Sequence, residues 1–292
     1  MSERELAKSN NEFDKVWLIT GCSSGMGREI ALEALSAGYR VVVSARKPST
    51  LEEILDRYPD HAHAVQLDVT QQVQIENAVS ESLAVFGQLD ILVNNAGYGY
   101  LAAIEEGDEK EVREMFETNF FGLLAMTKAV LPHMRARKRG QIINNSSQAG
   151  LMSKPGTGYY STTKYAVEAL SEALFWELAP LGIRVTALQP GPFRTDWAGR
   201  SMKRVQNSIE EYDEIVHARA DMIQQTDGTQ PGDPKRAAKA VVDLVQCEHP
   251  PPQLLLGRIV LETYRDKLDS IRKMLDEWEE VTLGADFPSD SK

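Results

Sequence analysis

The sequence predicts a doubly wound parallel α/β sheet with a helical lid and a C-terminal helix, and three observations predict it. Short apolar segments alternate with amphipathic helical segments, without a linker, to about Cys247. Strands such as Arg40-Val41-Val42-Val43 and Ile91-Leu92-Val93 are apolar throughout, which fits a sheet covered on both faces. The first strand, Val16-Trp17-Leu18-Ile19, runs straight into Thr20-Gly21-Cys22-Ser23-Ser24-Gly25-Met26-Gly27 and then a helix. The 292 residues are expected to form one domain over 1–292, with a loose polar start at 1–13, a substrate lid at 197–230 and a C-terminal helical extension at 258–292.

In chain order, strands are expected near 16–20, 40–44, 63–67, 90–94, 141–145, 183–188 and 254–256. Helices are expected near 25–37, 48–57, 71–86, 108–136, 158–179 and 233–247. After the first strand, glycines let the backbone approach a pyrophosphate, and the following helix offers unpaired N–H groups at the positive end of its dipole. Gly21, Ser23, Ser24, Gly25, Met26 and Gly27 are therefore candidate cofactor contacts, spaced Gly-x-x-x-Gly-x-Gly rather than Gly-x-Gly-x-x-Gly.

The second strand ends Val43-Ser44-Ala45-Arg46-Lys47. An acid about 20 residues past the glycine turn would bind the ribose hydroxyls of NAD, but Ala45 stands there, and Arg46 can clamp an additional phosphate. That favours NADP(H), with NAD(H) still admissible; the plainer alternative is that Arg46 and Lys47 solvate a loop. The fourth strand closes on Asn94-Asn95-Ala96-Gly97, where small residues let the backbone lie beside a cofactor and an asparagine can tie strands together, so Asn95, Ala96 and Gly97 are candidate contacts. Arg135-Ala136-Arg137-Lys138-Arg139 falls at a helix end and reads as solvated charge complementing the helix dipole.

Tyr160 and Lys164 share a helix face, and of the nine tyrosines only Tyr160 has a lysine four positions on. A cation beside a phenol favours the phenolate and would bring the pKa below its usual value of about 10. Tyr98, Tyr100, Gln148, Met152, Tyr159, Phe193 and Trp197 are candidate pocket residues for an apolar or aromatic compound, or simply core. In the tail, Tyr264, Leu268, Ile271, Leu275 and Trp278 recur at helical spacing. That face is expected to dock on the body, or else to cover a partner subunit or the pocket.

Thr20-Gly-x-x-x-Gly-x-Gly27, Asn94-Asn95-Ala96-Gly97, Asn119, Ser147, Tyr160-x-x-x-Lys164 and Pro190-Gly191 resemble, in order and spacing, the compact single-domain branch of the short-chain dehydrogenase/reductase family. The resemblance covers roughly Lys15 to Asp196 and looks most like the 17β-hydroxysteroid-dehydrogenase-like oxidoreductases. It implies a Rossmann-type fold and an enzyme that interconverts a ketone or aldehyde and an alcohol by hydride transfer to or from a nicotinamide. The catalytic set it implies is Asn119 holding a relay water, Ser147 binding the substrate oxygen, Tyr160 as acid and base, and Lys164 beside it, also holding the nicotinamide ribose.

The resemblance further implies cofactor contacts from Asp68 and Val69 at the adenine, and from Pro190, Gly191, Phe193 and Thr195 near the carboxamide and pyrophosphate. Asp68 could equally cap the helix at Gln71. One departure is Asn145, where the family usually carries an apolar residue. A non-catalytic NADP-binding regulatory or redox-sensing protein is the alternative, but such a protein needs no intact Asn-Ser-Tyr-Lys set.

With 32 basic and 43 acidic residues, a net charge of −11 and a pI near 5.1, the chain is not suited to a nucleic acid or an anionic membrane. Two cysteines, no metal-like spacing among the five histidines and no signal sequence suggest a cytoplasmic, metal-free protein. No apolar run approaches the roughly 20 residues of a membrane span. A small-molecule carbonyl or alcohol substrate and a homodimer or homotetramer complete the expectation.

Overall fold

The computed structural model describes residues 14–206 and 208–287. The expected loose start at 1–13 lies outside the described residues. In order along the chain come β1 (Val16–Ile19), α1 (Gly25–Ser36), β2 (Arg40–Ala45), α2 (Glu52–Arg57), β3 (Ala62–Gln66), α3 (Gln72–Phe86), β4 (Ile91–Asn94) and β5 (Gly99–Leu101). They are followed by α4 (Glu109–Phe116), α5 (Gly122–Arg137), β6 (Gly140–Asn145), α6 (Gly158–Leu178), β7 (Ile183–Pro190), β8 (Met202–Arg204), α7 (Ala218–Gln225), α8 (Pro234–Gln246), β9 (Gln253–Leu256) and α9 (Arg258–Leu283).

The seven expected strands form one parallel sheet in the order β3-β2-β1-β4-β6-β7-β9. Apolar side chains fill both faces. On one face α1 and α8 bring Ile30, Ala34, Ala238 and Val241 against Trp17 and Val43; on the other α3, α5 and α6 bring Val79, Met126, Val130 and Leu174 against Leu18 and Leu92. Each fully buried aliphatic side chain of this size stabilises by about 1.5–3 kcal/mol. That is why uniformly apolar strands settle between two helical layers. The strand order reverses between β1 and β4, so the loops leaving their carboxyl ends diverge and open a crevice there. The start of α8 is set by Asp233, whose carboxylate accepts from the Lys235 N–H, with Pro234 in the first turn.

Three expectations need correction. The single helix over 108–136 is interrupted by a π-turn at Glu117–Phe121, so α4 and α5 are separate, and Asn119 sits inside the turn. A π-turn carries one extra residue per turn, re-aiming side chains in a way that hydrophobic periodicity does not reveal. The basic run after α5 is not simply solvated: half-buried Arg137 donates to Asp90 at 2.9 Å, and the other Asp90 oxygen accepts from the Val16 N–H at 2.9 Å. Arg139 reaches the same Asp90 oxygen as Arg137, at 3.3 Å, so two cations of the run serve one buried carboxylate. Finally, α9 does not dock along the body. Beyond Lys267 every described residue of the tail is exposed.

A second, two-stranded sheet of β5 and β8 was not expected; it pairs Gly99 with Met202 and Leu101 with Arg204, fastening the 197–230 segment to the body. Gly99 permits the approach, since a Cβ there would stand 2.5 Å from Met202 Sδ. Among the described residues, no helix is long and apolar enough to cross a membrane.

Candidate active site

The turn after β1 is shaped by two glycines in the left-handed region, Gly21 (φ 74°) and Gly25 (φ 61°), which L side chains rarely adopt. Gly27 serves packing: a Cβ there would lie 2.3 Å from Asn95 Nδ2 and 2.5 Å from the Gly21 carbonyl oxygen. Asn95 bolts the two loops together, donating to the Thr20 and Gly21 carbonyls at 2.9 and 3.2 Å and accepting from Asn145 at 3.0 Å. Beneath it, Asn94 donates to Thr127 and Asn144 at 3.0 and 2.9 Å, binding β4 to α5 and β6.

These loops open onto a cavity of about 1210 Å³ that runs from the glycine turn past the end of β2 to Ser147, Tyr160 and Lys164. Gly21, Ser23, Ser24, Gly25, Met26, Arg46, Asp68, Val69, Asn95, Ala96, Gly97, Pro190, Gly191, Phe193 and Thr195 all line it. Of the candidate catalytic and cofactor-binding residues, only Gly27 and Asn119 stand behind the wall. The Asp68 carboxylate is engaged locally, accepting from the Thr70 N–H at 3.0 Å and its hydroxyl at 2.8 Å, so it does stabilise the turn before α3.

The cavity suits a dinucleotide. Ser24, the residue before α1, is extended and makes no side-chain cap, and no acid occupies the first turn, so the helix N-terminus keeps its N–H groups and positive potential for an anion. The Asn145 Oδ1 is buried in this wall without a hydrogen-bond partner among the described residues, a polar site that a ribose or amide could satisfy.

Tyr160 and Lys164 lie on α6, and Ser147 leads out of β6. The Tyr160 phenol is 6% exposed, tilted against the Trp197 ring with centroids 5.3 Å apart. Burial pushes it up to about 12, outweighing the Ser147 and Trp197 side chains, which favour the phenolate. The depression expected from Lys164 is therefore not seen. The ammonium donates to the Asn145 carbonyl at 2.7 Å and sits 5.7 Å from the phenol ring centroid, so desolvation dominates. Lys164 itself is lowered to about 8 by the same burial, with Glu168 opposing.

Asn119 is 1% exposed and spends both ends of its amide on the Tyr98 backbone, accepting from N–H at 3.0 Å and donating to the carbonyl at 2.9 Å. It fixes the loop after β4 against Gly97, where a Cβ would come 3.0 Å from its Oδ1. Tyr100 and Tyr159, expected in the pocket, are not part of it. Tyr100 is fully buried and accepts from the Asp108 N–H at 3.0 Å, and Tyr159 packs edge-on against it while donating to the Ile104 carbonyl at 2.6 Å. Tyr98, Gln148, Met152, Phe193 and Trp197 do line the cavity, joined by Met222 and Ile223 from α7 and Ile259 from α9.

The short chain dehydrogenase pattern matches residues 15–206, which includes every element of this cavity up to β8. The chain belongs to the short-chain dehydrogenase family. It is 37% identical over 273 residues to "Oxidoreductase BOA17" of Botryotinia fuckeliana, spanning 93% of this chain and 99% of that one. A 3-ketodihydrosphingosine reductase of Bacteroides thetaiotaomicron is 36% identical over 247 residues, covering 84% and 89%. Among solved structures, a short-chain dehydrogenase from Streptomyces avermitilis is 42% identical with a TM-score of 0.88, covering 94% and 99%. More distant members at 28% identity hold NADP in one case (ElxO) and NADH in another (a Brucella melitensis 3-ketoacyl-(acyl-carrier-protein) reductase). The chain is thus an oxidoreductase of this family, acting between CH–OH and C=O groups.

One family-independent feature escaped the sequence reading, which treated His217 as an ordinary residue. His217 lies buried at the N-terminal side of α7 and bridges Glu106 through Nε2 and Asp213 through Nδ1, both at 2.7 Å. Glu106 also accepts from the Ser208 and Ile209 N–H groups, at 2.8 and 3.0 Å. The 208–217 stretch is thereby clamped to the loop after β5. Only the Asp213/His217 i,i+4 spacing hinted at it. Burial would raise the Glu106 carboxyl, but His217 and the Ser208 and Ile209 donors hold it down to about 2. Glu106 first, then Asp213, holds His217 above its ordinary value of 6.5.

The clamp is accordingly complete below about 6.5 and is lost as pH rises through the elevated folded-state value of His217, while Glu106 stays ionised throughout. Proteolysis within residues 205–225 is expected to accelerate as pH rises above about 6.5, and His217→Gln to remove that dependence. An equal pH dependence in His217→Gln would assign it to other groups.

Proposed function

We propose that this chain is an NADP(H)-dependent carbonyl reductase or alcohol dehydrogenase of the 17β-hydroxysteroid-dehydrogenase-like branch, with Tyr160 as acid and base. The observation that carries the reading is the convergence of Ser147, Tyr160 and Lys164 on one end of the cavity whose other end is the glycine turn. The nicotinamide cofactor, when bound, supplies or takes the hydride. The Ser147 hydroxyl donates to the substrate oxygen and stabilises its growing charge. Tyr160 Oη gives that oxygen its proton in reduction and recovers it in oxidation. Burial keeps the phenol protonated, the form that donates in reduction. Lys164 stands to hold the ribose hydroxyls, and Asn119 keeps the Tyr98 loop in place against Gly97.

The 197–230 segment acts as the substrate lid, Trp197 closing on Tyr160 and Met222 and Ile223 facing the cavity. Together with Tyr98, Met152 and Phe193 they suit an apolar or aromatic carbonyl compound rather than a charged one. A non-catalytic NADP-binding sensor would have no use for the assembled Ser-Tyr-Lys set. The enzyme would work in the cytoplasm as a homodimer or homotetramer.

Relatives use either cofactor, so the preference for NADP(H) rests on the end of β2, where Ala45 and Arg46 line the cavity and no carboxylate follows. Arg46→Ala is expected to weaken NADPH by about 1.5–3 kcal/mol, roughly 10–150-fold, and NADH hardly at all. Titration of nicotinamide fluorescence with both cofactors measures this; equal losses would mean that Arg46 is a bystander. The activity itself is tested by a panel of ketones, aldehydes and alcohols with each cofactor, following nicotinamide absorbance. No turnover with any member would overturn the reading.

A further inference from the structure

The outer part of α9 carries a run of exposed apolar side chains, from Leu268 to Leu283. The helix has 26 residues, about 39 Å. Its first turns are held by the body: Val260 is buried, Gln148 donates to Thr263 at 2.9 Å, and Lys267 donates to Tyr165 Oη at 3.0 Å. Past that point Leu268, Leu275 and Trp278 are 45%, 55% and 58% exposed. Their spacing is informative. Leu261, Tyr264, Leu268, Ile271, Leu275 and Trp278 alternate three and four apart, a seven-residue repeat over nearly three heptads. A 3.5-residue period keeps one narrow seam facing another helix, whereas a helix lying on a globular body needs a wider stripe of period 3.6.

Charge along the helix selects the partner. Residues 258–273 carry five basic and three acidic side chains, and residues 274–287 carry five acidic and no basic ones. The acidic outer half opposes an anionic lipid surface. The same gradient is self-complementary when two copies run antiparallel, since each basic inner half then faces an acidic outer half. A parallel pair would instead align like with like and set Lys267 of each copy against Arg272 of the other, two repulsive contacts, whereas the antiparallel pair has one, Arg272 against its counterpart in the second copy, beside two Arg265–Glu279 pairs.

We infer that the exposed face of α9 is an interface between two copies of this chain, formed by antiparallel pairing of their α9 helices. Leu268 packs against Trp278 of the second copy, Ile271 against Leu275, and Arg265 pairs with Glu279 across the seam.

Arg265 and Glu279 are fourteen residues apart, about 21 Å along one helix, and cannot meet within a copy. The full-length protein is therefore tested by sedimentation velocity from nanomolar to micromolar concentration. Leu268→Glu with Leu275→Glu is expected to remove one twofold step of assembly, halving the mass. Arg265→Glu and Glu279→Arg should each weaken that step about tenfold, and the two together should restore it to within about twofold. These two positions are exposed, so the variants keep the fold. A monomeric wild type, an unchanged mass in the leucine variant, or a double charge swap no better than either single one would overturn the inference. So would flotation of the wild type with phosphatidylserine vesicles at an unchanged mass, which would assign the face to lipid.

Discussion

Tyr160→Phe is expected to lower kcat by 10²–10⁴-fold, about 3–5.5 kcal/mol, while NADPH binding stays within about twofold. The ring of the variant still fills the space against Trp197, so packing is kept and only the proton donor is lost. Cofactor affinity is expected to survive because the glycine turn, Arg46 and Lys164 lie on other residues of the wall. Single-turnover kinetics at saturating cofactor would isolate the chemical step. Retention of most of the activity would remove Tyr160 from the mechanism and leave Ser147 as the remaining donor.

Ala45→Asp combined with Arg46→Leu is expected to reverse the cofactor preference from NADPH to NADH. Two effects act in the same direction: the new carboxylate accepts from the ribose hydroxyls and repels a 2′-phosphate, and the lost guanidinium no longer offers that phosphate a charge-assisted bond. With each worth about 1.5–3 kcal/mol, the ratio of kcat/KM for the two cofactors should move by 10²-fold or more. Position 45 is the last residue of β2; it is 5% exposed but lines the cavity, so a carboxylate there can face the cofactor. Turnover with one common substrate should otherwise persist, since Ser147 follows β6 and Tyr160 and Lys164 are on α6. An unchanged ratio would show that the ribose sits elsewhere than at the end of β2.

Much of this could be read along the chain because the relevant physics is local. Strand-to-helix alternation, the glycine turn after β1 and the Tyr160–Lys164 spacing each depend on residues within a few positions of one another. The seven strands of the main sheet and most of the cavity wall were legible for that reason. Asp68 was legible only as two alternatives; its bonds to Thr70 hold the turn before α3, and it also lines the cavity. Where the reading failed, the cause was a partner distant in sequence. Arg137 looked solvated until Asp90, 47 positions away, took it up. Tyr100 and Tyr159 looked like pocket residues until each met the other and a backbone group.

The sequence by itself determined the parallel α/β architecture and the glycine turn after β1, since these follow from periodicity and short spacings, while the Asn119, Ser147, Tyr160 and Lys164 set came with the family resemblance. Only the tertiary structure decided the electrostatics and the fastenings. Burial beneath Trp197, not the nearby cation, sets the Tyr160 phenol at about 12, and desolvation of that kind exists only once distant segments close over the group. In the same way Glu106 and His217, 111 positions apart, become a clamp only when β5 and β8 bring their loops together. The exposed seam of α9 was visible as a pattern in the chain, but that it stands off the body depends on where the sheet ends and leaves it no surface to lie on.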